Sequence, residues 1–253
     1  MLRASHLAPL NGNKLRVFTG FGFTISAMSK GVDVKRLVVA VVAISLILSP
    51  SAFAESKSKS VKSAKVPVIK CKATKAVGHT PPSVSPADKL PKKFAKVFTF
   101  ETNCGNIVVR TFAAKAPITV TQLATLARGG YFDNTLCHRL TTKGLYVLQC
   151  GDPTATGSGG PGFTFRDENL PAEGVNNYPA GTVAMANSGP GTNGSQFFLV
   201  FADTTLGANY TVWGTITQGL DIVKAIARAG VKGGGADGTP NQPISINRVV
   251  VTS

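Results

Sequence analysis

Residues 185–198 read MANSGPGTNGSQFF. Apolar segments at 182–186 and 196–201 lie on the two sides of a loop composed of Asn, Ser, Gly, Pro and Thr. Short apolar runs bounded by such turn-forming residues are typical of buried β-strands. The block therefore predicts two short strands joined by an irregular loop.

Similar short apolar segments occur on both sides of this block. We predict further strands at 96–101, 107–112, 145–149, 163–165, 210–217 and 244–251. Two other segments have helical spacing: Pro117 opens the first, which ends before Gly129, and the second covers 220–229. Many strands, two helices and no βαβ alternation predict a mainly β fold, either a closed barrel or a sandwich, capped by the two helices.

The net charge of +15 is distributed unevenly along the chain. Eleven lysines lie between Lys57 and Lys96, against the single acidic residue Asp88. Because this segment has little apolar material to bury, we predict a disordered basic linker over 55–95. Nucleic acid is not expected as a partner, since the run lacks interleaved aromatic residues and clustered arginines. Weak contact of the linker with anionic surfaces is the alternative to a simple spacer.

The N-terminal residues 1–54 have the features of a leader that contains a signal peptide. Lys35 and Arg36 precede the apolar run 37–48, and small residues stand at the −3 and −1 positions of a cut after Ala54. Met28 opens a conventional signal peptide and is the expected true start. The mature protein is expected to be secreted or extracytoplasmic, and an uncleaved N-terminal membrane anchor is the alternative.

Four cysteines, Cys71, Cys104, Cys137 and Cys150, would enter an oxidising compartment after export. Cys137 and Cys150 flank an apparent hairpin centred at 143–144, which could bring them together, although a slip of one residue would place them on opposite faces. The pairing therefore stays open among three connectivities. No metal site is expected, because the chain has no CxxC pair.

Common catalytic motifs are missing from the sequence. There is no HExxH, GxSxG or phosphate-binding P-loop, and His138 is the single histidine after residue 95. The segment 157–162 fits GxGxxG on paper, but an apolar FTF segment follows it where a nucleotide site requires a helix. Hydrolytic and nucleotide-dependent chemistry are therefore not expected.

A series of motifs resembles the cyclophilin-type peptidyl-prolyl cis-trans isomerases. They are HRL at 138–140, LQCGDP at 148–153, GSGG at 157–160, FRDEN at 165–169 and the block at 185–198. The resemblance covers 96–253 and implies a closed eight-stranded β-barrel capped by two α-helices, with a groove on its outer surface. It further implies isomerisation of X–Pro bonds without a cofactor or a covalent intermediate, and a monomer. Combined with the leader, it points to folding assistance for exported proteins that contain proline.

The resemblance also implies a role for individual residues. Arg139 matches the catalytic arginine, whose guanidinium donates a hydrogen bond toward the prolyl nitrogen. Phe198 matches the floor of a proline pocket, which suits a ring that carries no N–H. The other expected substrate-binding residues are Tyr146, Val147, Gln149, Gly157, Ala186, Asn187, Ser188, Gln196, Leu206 and Tyr210.

Some positions depart from the family pattern. Two extra residues lie between Arg139 and Gln149, so the loop at 141–144 should differ in shape. Thr205 is the nearest match to a tryptophan of many eukaryotic members, so weak cyclosporin binding is expected. Two other hypotheses remain: a binding module that holds proline-containing segments, and a surface-interaction protein that acts through its lysine-rich segment.

Overall fold

The computed structural model of the protein describes residues 69–253. The predicted leader, the start at Met28, the cut after Ala54 and the first part of the linker lie outside the described residues. No helix in the described part is long and apolar enough to cross a membrane.

Ten strands and two α-helices make up the described domain. The helices are α1, Pro117–Arg128, and α2, Leu220–Ala229, both at their predicted positions. The strands are β1 Val97–Thr102, β2 Gly105–Thr111, β3 Thr135–Leu136, β4 Arg139–Lys143, β5 Leu145–Cys150, β6 Thr182–Met185, β7 Phe197–Val200, β8 Val212–Gln218, β9 Asp237–Gly238 and β10 Ser245–Thr252. Of the predicted strands, 163–165 is missing as an element, since Phe165 forms only an isolated bridge with Asn193.

All ten strands belong to one curled antiparallel sheet with the order β3-β10-β1-β2-β8-β6-β7-β5-β4-β9. The two strands at the ends of this order, β3 and β9, have two residues each, and no backbone pairing joins them within residues 69–253. The mainly β architecture is confirmed. The predicted closed eight-stranded barrel is not confirmed, because the sheet is an open half-barrel of ten strands.

The main hydrophobic core fills the concave side of the sheet. Its centre is aromatic: the rings of Phe98 and Trp213 are 5.3 Å apart and those of Phe197 and Trp213 are 6.0 Å apart, in edge-to-face arrangements that aromatic pairs prefer. The two helices cover this core with their apolar faces. Val120, Leu123 and Leu126 of α1 are fully buried, as are Val223 and Ile226 of α2.

Helix α1 begins where its sequence and its surroundings both favour a start. Pro117 stands in the first turn, where its missing N–H would be unpaired in any case. The carboxylate of Glu168 accepts hydrogen bonds from the backbone N–H groups of Ile118 and Thr119, at 3.1 and 2.8 Å. A negative charge at this end of a helix also complements the helix dipole.

Residues 69–95, here called the strap, contain no helix or strand but are tied to the domain along their length. A disulfide joins Cys71 to Cys104. Beside it, the N–H of Lys72 donates to the carbonyl of Asn103, and the Asn103 amide donates back to the carbonyl of Lys72, both at 2.8 Å. Near the other end, Ala87 and the Gln122 side chain exchange a reciprocal pair of hydrogen bonds.

The middle of the strap lies against the loop after β5. The N–H of His79 donates to the carbonyl of Pro153 at 2.9 Å. Gly78 is so close to this loop that an added Cβ would overlap the carbonyl oxygen of Thr154. These contacts correct the expectation of a disordered linker for residues 69–95, because the segment pairs its polar backbone with the domain and packs Ile69 and Val84 against the core.

The second disulfide joins Cys137 to Cys150. It links the residues at the base of the β4–β5 hairpin, as the hairpin pattern suggested. The register pairs Arg139 with Gln149, so the hairpin is centred on Gly144. Cys137 lies two residues before β4 and is outside this register, so its side chain is not confined to one face of the hairpin. Its N–H donates to the carbonyl of Ile244.

Replacing Gly78 with alanine tests whether the strap packs on the loop after β5. We expect Gly78→Ala to lower the free energy of unfolding by about 1–3 kcal/mol, the usual range for overpacking a close contact. Urea unfolding measures the change. Gly160→Ala is the control, since an added Cβ at Gly160 meets no atom within 4 Å. Equal stability of the two variants would contradict the packing.

Candidate active site

A row of side chains crosses four neighbouring strands on the face opposite the main core. Arg139 of β4 pairs with Gln149 of β5, Gln149 pairs with Phe198 of β7, and Phe198 pairs with Ala184 of β6. Side chains alternate between the faces of a strand, so directly opposite residues share a face. With about 4.8 Å between strands, the row is about 14 Å long. It has a cation at one end and an apolar surface at the other.

The apolar end of the row is the floor of a pocket. Phe198 is only 4% exposed and lies in a small cluster with Val147, Tyr178, Ala184 and Val200, separate from the main core. Leu206, Tyr210 and Ala186 pack against this cluster as partly exposed walls. The rings of Phe198 and Tyr210 meet edge to face, with their centroids 5.7 Å apart. The structure thus brings together the residues expected to bind proline, with one exception.

The exception is Tyr146, which lies on the other face of β5. It packs against the main core, with its ring 5.9 Å from that of Phe201. Leu145 packs beside the pocket instead. The reason is strand alternation: Leu145, Val147 and Gln149 share one face, so the residue between the first two must point away. The structure therefore places Tyr146 on the face opposite to the one expected from the sequence, and Leu145 packs against the pocket cluster instead.

Arg139 is held in place by partners on two sides. Its Nε and Nη2 donate to the two carboxylate oxygens of Asp237 at 2.8 and 2.7 Å, and its Nη1 donates to Oε1 of Gln149 at 3.2 Å. Hydrogen bonding to Asp237 raises the pKa of the Arg139 guanidinium and lowers the pKa of the Asp237 carboxyl. Both groups are therefore ionised at neutral pH.

The hydrogen bonds continue from Arg139 along the groove in one direction. Nε2 of Gln149 donates to Oε1 of Gln196 at 2.8 Å. Nε2 of Gln196 donates in turn to the carbonyl oxygens of Gly157 and Gly159 at 3.0 and 2.9 Å. Because the oxygen of each amide accepts from the preceding donor, the orientation of both glutamine side chains is determined by the network.

Asp152 anchors the far end of this chain beneath the glycine-rich loop. Its buried carboxylate accepts the backbone N–H groups of Thr154, Thr156, Gly157 and Gly159, at 2.7–3.1 Å. Burial alone raises the pKa of Asp152, but hydrogen bonds from the Thr154 hydroxyl and from the backbone N–H groups outweigh it, so the net pKa is lowered. The GxGxxG segment therefore wraps around an internal carboxylate.

The loop after β6 completes the edge of the groove. Its Asn187 donates from Nδ2 to the carbonyl of Asn209 at 2.8 Å, and the Ser188 N–H donates to Oγ1 of Thr192 at 2.8 Å. An open cavity of ≈ 570 Å³ lies between this loop and the glycine-rich loop. The expected site residues that line it are Gln149, Gly157, Ala186, Asn187, Ser188 and Gln196.

Two supporting residues were missed by sequence reasoning. Asn177 holds Leu206 through a reciprocal pair of hydrogen bonds, at 2.7 and 3.0 Å. The buried hydroxyl of Tyr178 accepts the N–H of Tyr210 at 3.1 Å, and burial raises the pKa of Tyr178 to about 12. The signal in the sequence was Tyr178, an aromatic residue within a polar loop. This pattern does not show that Tyr178 bonds to Tyr210.

The arrangement suits the binding of an uncharged, partly apolar chain. Within residues 69–253, no group of three or more His, Cys, Asp or Glu side chains could hold a metal ion. The neighbouring His138 is partly buried, and burial lowers its pKa, so it is neutral at pH 7. What the site offers is a permanent cation beside an apolar pocket, with N–H donors between them.

Comparison with known proteins agrees with this geometry. Residues 97–251 match the family described as cyclophilin type peptidyl-prolyl cis-trans isomerase/CLD. The chain belongs to this family.

Among curated relatives, a protein of Mycobacterium tuberculosis named "Probable peptidyl-prolyl cis-trans isomerase B" is 45% identical over 175 residues, which cover 64% of this chain and 57% of the relative. The protein of the same name from Mycobacterium leprae is 47% identical over 172 residues, or 63% of this chain and 58% of the relative. The chain thus spans less than two thirds of the length of these relatives.

A solved structure has the same fold. It is a cyclophilin-type peptidyl-prolyl cis-trans isomerase of Cryptosporidium parvum, with a TM-score of 0.55, 29% identity and coverage of 63% of this chain and 99% of that one. The Cryptosporidium protein has also been solved in the presence of the dipeptide Ala-Pro, and that structure has a TM-score of 0.54 and 29% identity with this chain, covering 62% of it and 99% of the neighbour.

Alanine substitutions at neighbouring positions test the corrected pocket wall. Leu145→Ala removes apolar surface that packs against the cluster containing Phe198, so we expect the Kd for a short Ala-Pro peptide to rise about 3- to 10-fold. Tyr146→Ala should leave this Kd unchanged and lower the melting temperature, because Tyr146 packs on Phe201 in the core. NMR titration gives the Kd of each variant. The reverse pattern would restore Tyr146 as the wall.

Proposed function

We propose that this chain catalyses the cis–trans isomerisation of X–Pro peptide bonds and so assists the folding of exported proteins. The observation that carries the proposal is the row from Arg139 through Gln149 to Phe198, in which a permanent cation and an apolar pocket lie on one face. Membership of the cyclophilin-type family supports the reaction class.

The proposed reaction consists of rotation about one bond. The barrier is about 20 kcal/mol, because amide resonance gives the C–N bond partial double-bond character. In the twisted transition state the prolyl nitrogen is pyramidal and carries a localised lone pair. A group that donates a hydrogen bond to this lone pair stabilises the twisted amide more than either planar isomer, which is the condition for catalysis.

The side chains of the row suit this requirement in different ways. The pocket over Phe198 would take the proline ring, which needs no hydrogen-bond partner. The guanidinium of Arg139 would donate toward the prolyl nitrogen, and because it keeps its charge at all accessible pH values no proton has to be transferred. The N–H of Gln149 that is not bonded to Gln196 would donate to a carbonyl of the bound chain.

Proline-containing peptides and unfolded exported proteins are the proposed partners. The peptide class is supported by the related Cryptosporidium structure, solved in the presence of Ala-Pro. Export is supported by the leader pattern at 1–54 and by the two disulfides, Cys71–Cys104 and Cys137–Cys150, because disulfides persist mainly in oxidising compartments. We infer a secreted or extracytoplasmic location on these grounds, with the cut after Ala54.

The first test compares the wild type with Arg139→Ala on a short Ala-Pro peptide, with the cis-to-trans rate as the readout. Removal of one donor that acts in the transition state should reduce kcat/KM by about 100-fold or more. Arg248→Ala is the matched control, since Arg248 is also a strand arginine paired with a carboxylate, that of Glu101, and should leave the rate unchanged. A folded wild-type protein that binds the peptide without accelerating exchange would favour the binding module.

Export is tested separately by the mass and N-terminal sequence of the protein recovered outside the cytoplasm. We expect the chain to begin at Glu55. The variant Ala52→Asp with Ala54→Asp, which removes the small residues required at the cut, should accumulate uncleaved. A wild-type chain that stays in the cytoplasm with its leader intact would contradict the proposed location.

A further inference from the structure

The ion pair between Arg139 and Asp237 joins parts of the chain that are 98 residues apart. Asp237 belongs to the short strand β9, which pairs with β4 so that Asp237 lies opposite Thr141. The N–H of Thr142 also donates to the carbonyl of Ala236 at 2.8 Å. The backbone pairing of β9 with β4 therefore positions the carboxylate of Asp237 next to Arg139.

A glycine-rich segment makes this delivery feasible. The chain reads KGGGADG from Lys232 to Gly238, and Gly238 has a φ of 150°. A Cβ at Gly238 would lie 3.0 Å from Cγ1 of Val231, so a larger residue would require a small shift of the Val231 side chain or of β9. The glycines of this segment thus allow the backbone at Asp237 to pair with the edge of β4.

The pair leaves a defined part of the guanidinium free. Arginine has five N–H donors in a rigid plane. Asp237 takes one at Nε and one at Nη2, and Gln149 takes one at Nη1. The bidentate contact fixes the plane of the guanidinium, and the remaining N–H groups, one on each terminal nitrogen, are available to a bound chain.

Stability does not explain this pair. The side chains of Arg139 and Asp237 are 42% and 53% exposed, and exposed ion pairs of this kind stabilise a fold by about 0–1 kcal/mol. A long arginine side chain at a surface otherwise samples many rotamers, and it would have to be immobilised each time the transition state forms. A carboxylate that holds the arginine side chain before the substrate binds removes this entropic cost from the transition state.

We propose that Asp237 is a positioning residue for Arg139, which holds the guanidinium in the orientation that catalysis needs. The inference rests on the proposed role of Arg139. Asp237 touches no reacting atom and acts through the geometry of its partner, so its loss should lower kcat and leave KM nearly unchanged. If Asp237 instead acted by reducing the positive potential of Arg139, its loss would raise kcat.

The experiment compares the wild type with Asp237→Asn and Asp237→Glu on the Ala-Pro peptide. Asparagine keeps one oxygen but cannot form the bidentate charged pair, so kcat should fall about 3- to 10-fold, the range expected for freeing one flexible side chain. Glutamate should restore part of the loss. The control is Glu101→Gln, which breaks the exposed cross-strand pair with Arg248 and should leave kcat unchanged.

Two further readouts separate positioning from a merely structural effect. In the Arg139→Ala background, Asp237→Asn should cause no additional loss, since it acts only through Arg139. The NMR signal of the Arg139 Nε–H should exchange slowly with solvent in the wild type and quickly in Asp237→Asn. An unchanged or increased kcat in folded Asp237→Asn would overturn the inference while Arg139→Ala stays inactive. Full activity of Arg139→Ala would instead refute the proposed function of Arg139.

Discussion

The register of four antiparallel strands is the constraint on which the site depends. Pairing of β4 with β5, β5 with β7 and β7 with β6 puts Arg139, Gln149, Phe198 and Ala184 in one row. A slip of one residue in any of these pairs would move a whole strand's side chains to the opposite face. Both faces of β7 are buried, the inner one in the main core and the outer one in the pocket floor, so the register is specified from two sides at once.

Two carboxylates stand at the ends of the polar network, in contrasting environments. Asp152 is buried and satisfied by backbone N–H groups, while Asp237 is half exposed and satisfied by a guanidinium. Between them, the side chains of Gln149 and Gln196 each accept one hydrogen bond and donate onward, which restrains their orientation in the groove. The strap adds support from outside, because Gly78 and His79 lie against the loop that Asp152 organises.

Most of this arrangement was predictable from local sequence, and the exceptions have physical reasons. Both helices and the longer strands followed from periodicity and turn signals, and the residues of the pocket over Phe198, apart from Tyr146, followed from the resemblance to the cyclophilin-type family. Tyr146 was misplaced because it was assigned by matching motif positions, whereas alternation along β5 puts it on the face opposite to Val147 and Gln149. The strap was misjudged because average composition hides the few residues, Cys71 and Val84 among them, that fasten it. Strand β9 was missed because its pairing with β4 is set by long-range contacts, whereas KGGGADG on its own is typical of a loop.

The direction of the hydrogen bonds along the groove has a consequence for which chains fit it. The side-chain oxygens of Gln149 and Gln196 already receive internal hydrogen bonds, and both N–H groups of Gln196 donate to glycine carbonyls, so the one free N–H of these two side chains is on Gln149. A bound polypeptide would find partners there for its carbonyls and few for its amide hydrogens. An ordinary residue would bury an N–H group without an acceptor, at a cost of about 1–3 kcal/mol. Proline has no such hydrogen, so the proposed selectivity of the groove for proline would rest partly on its lack of acceptors for N–H groups.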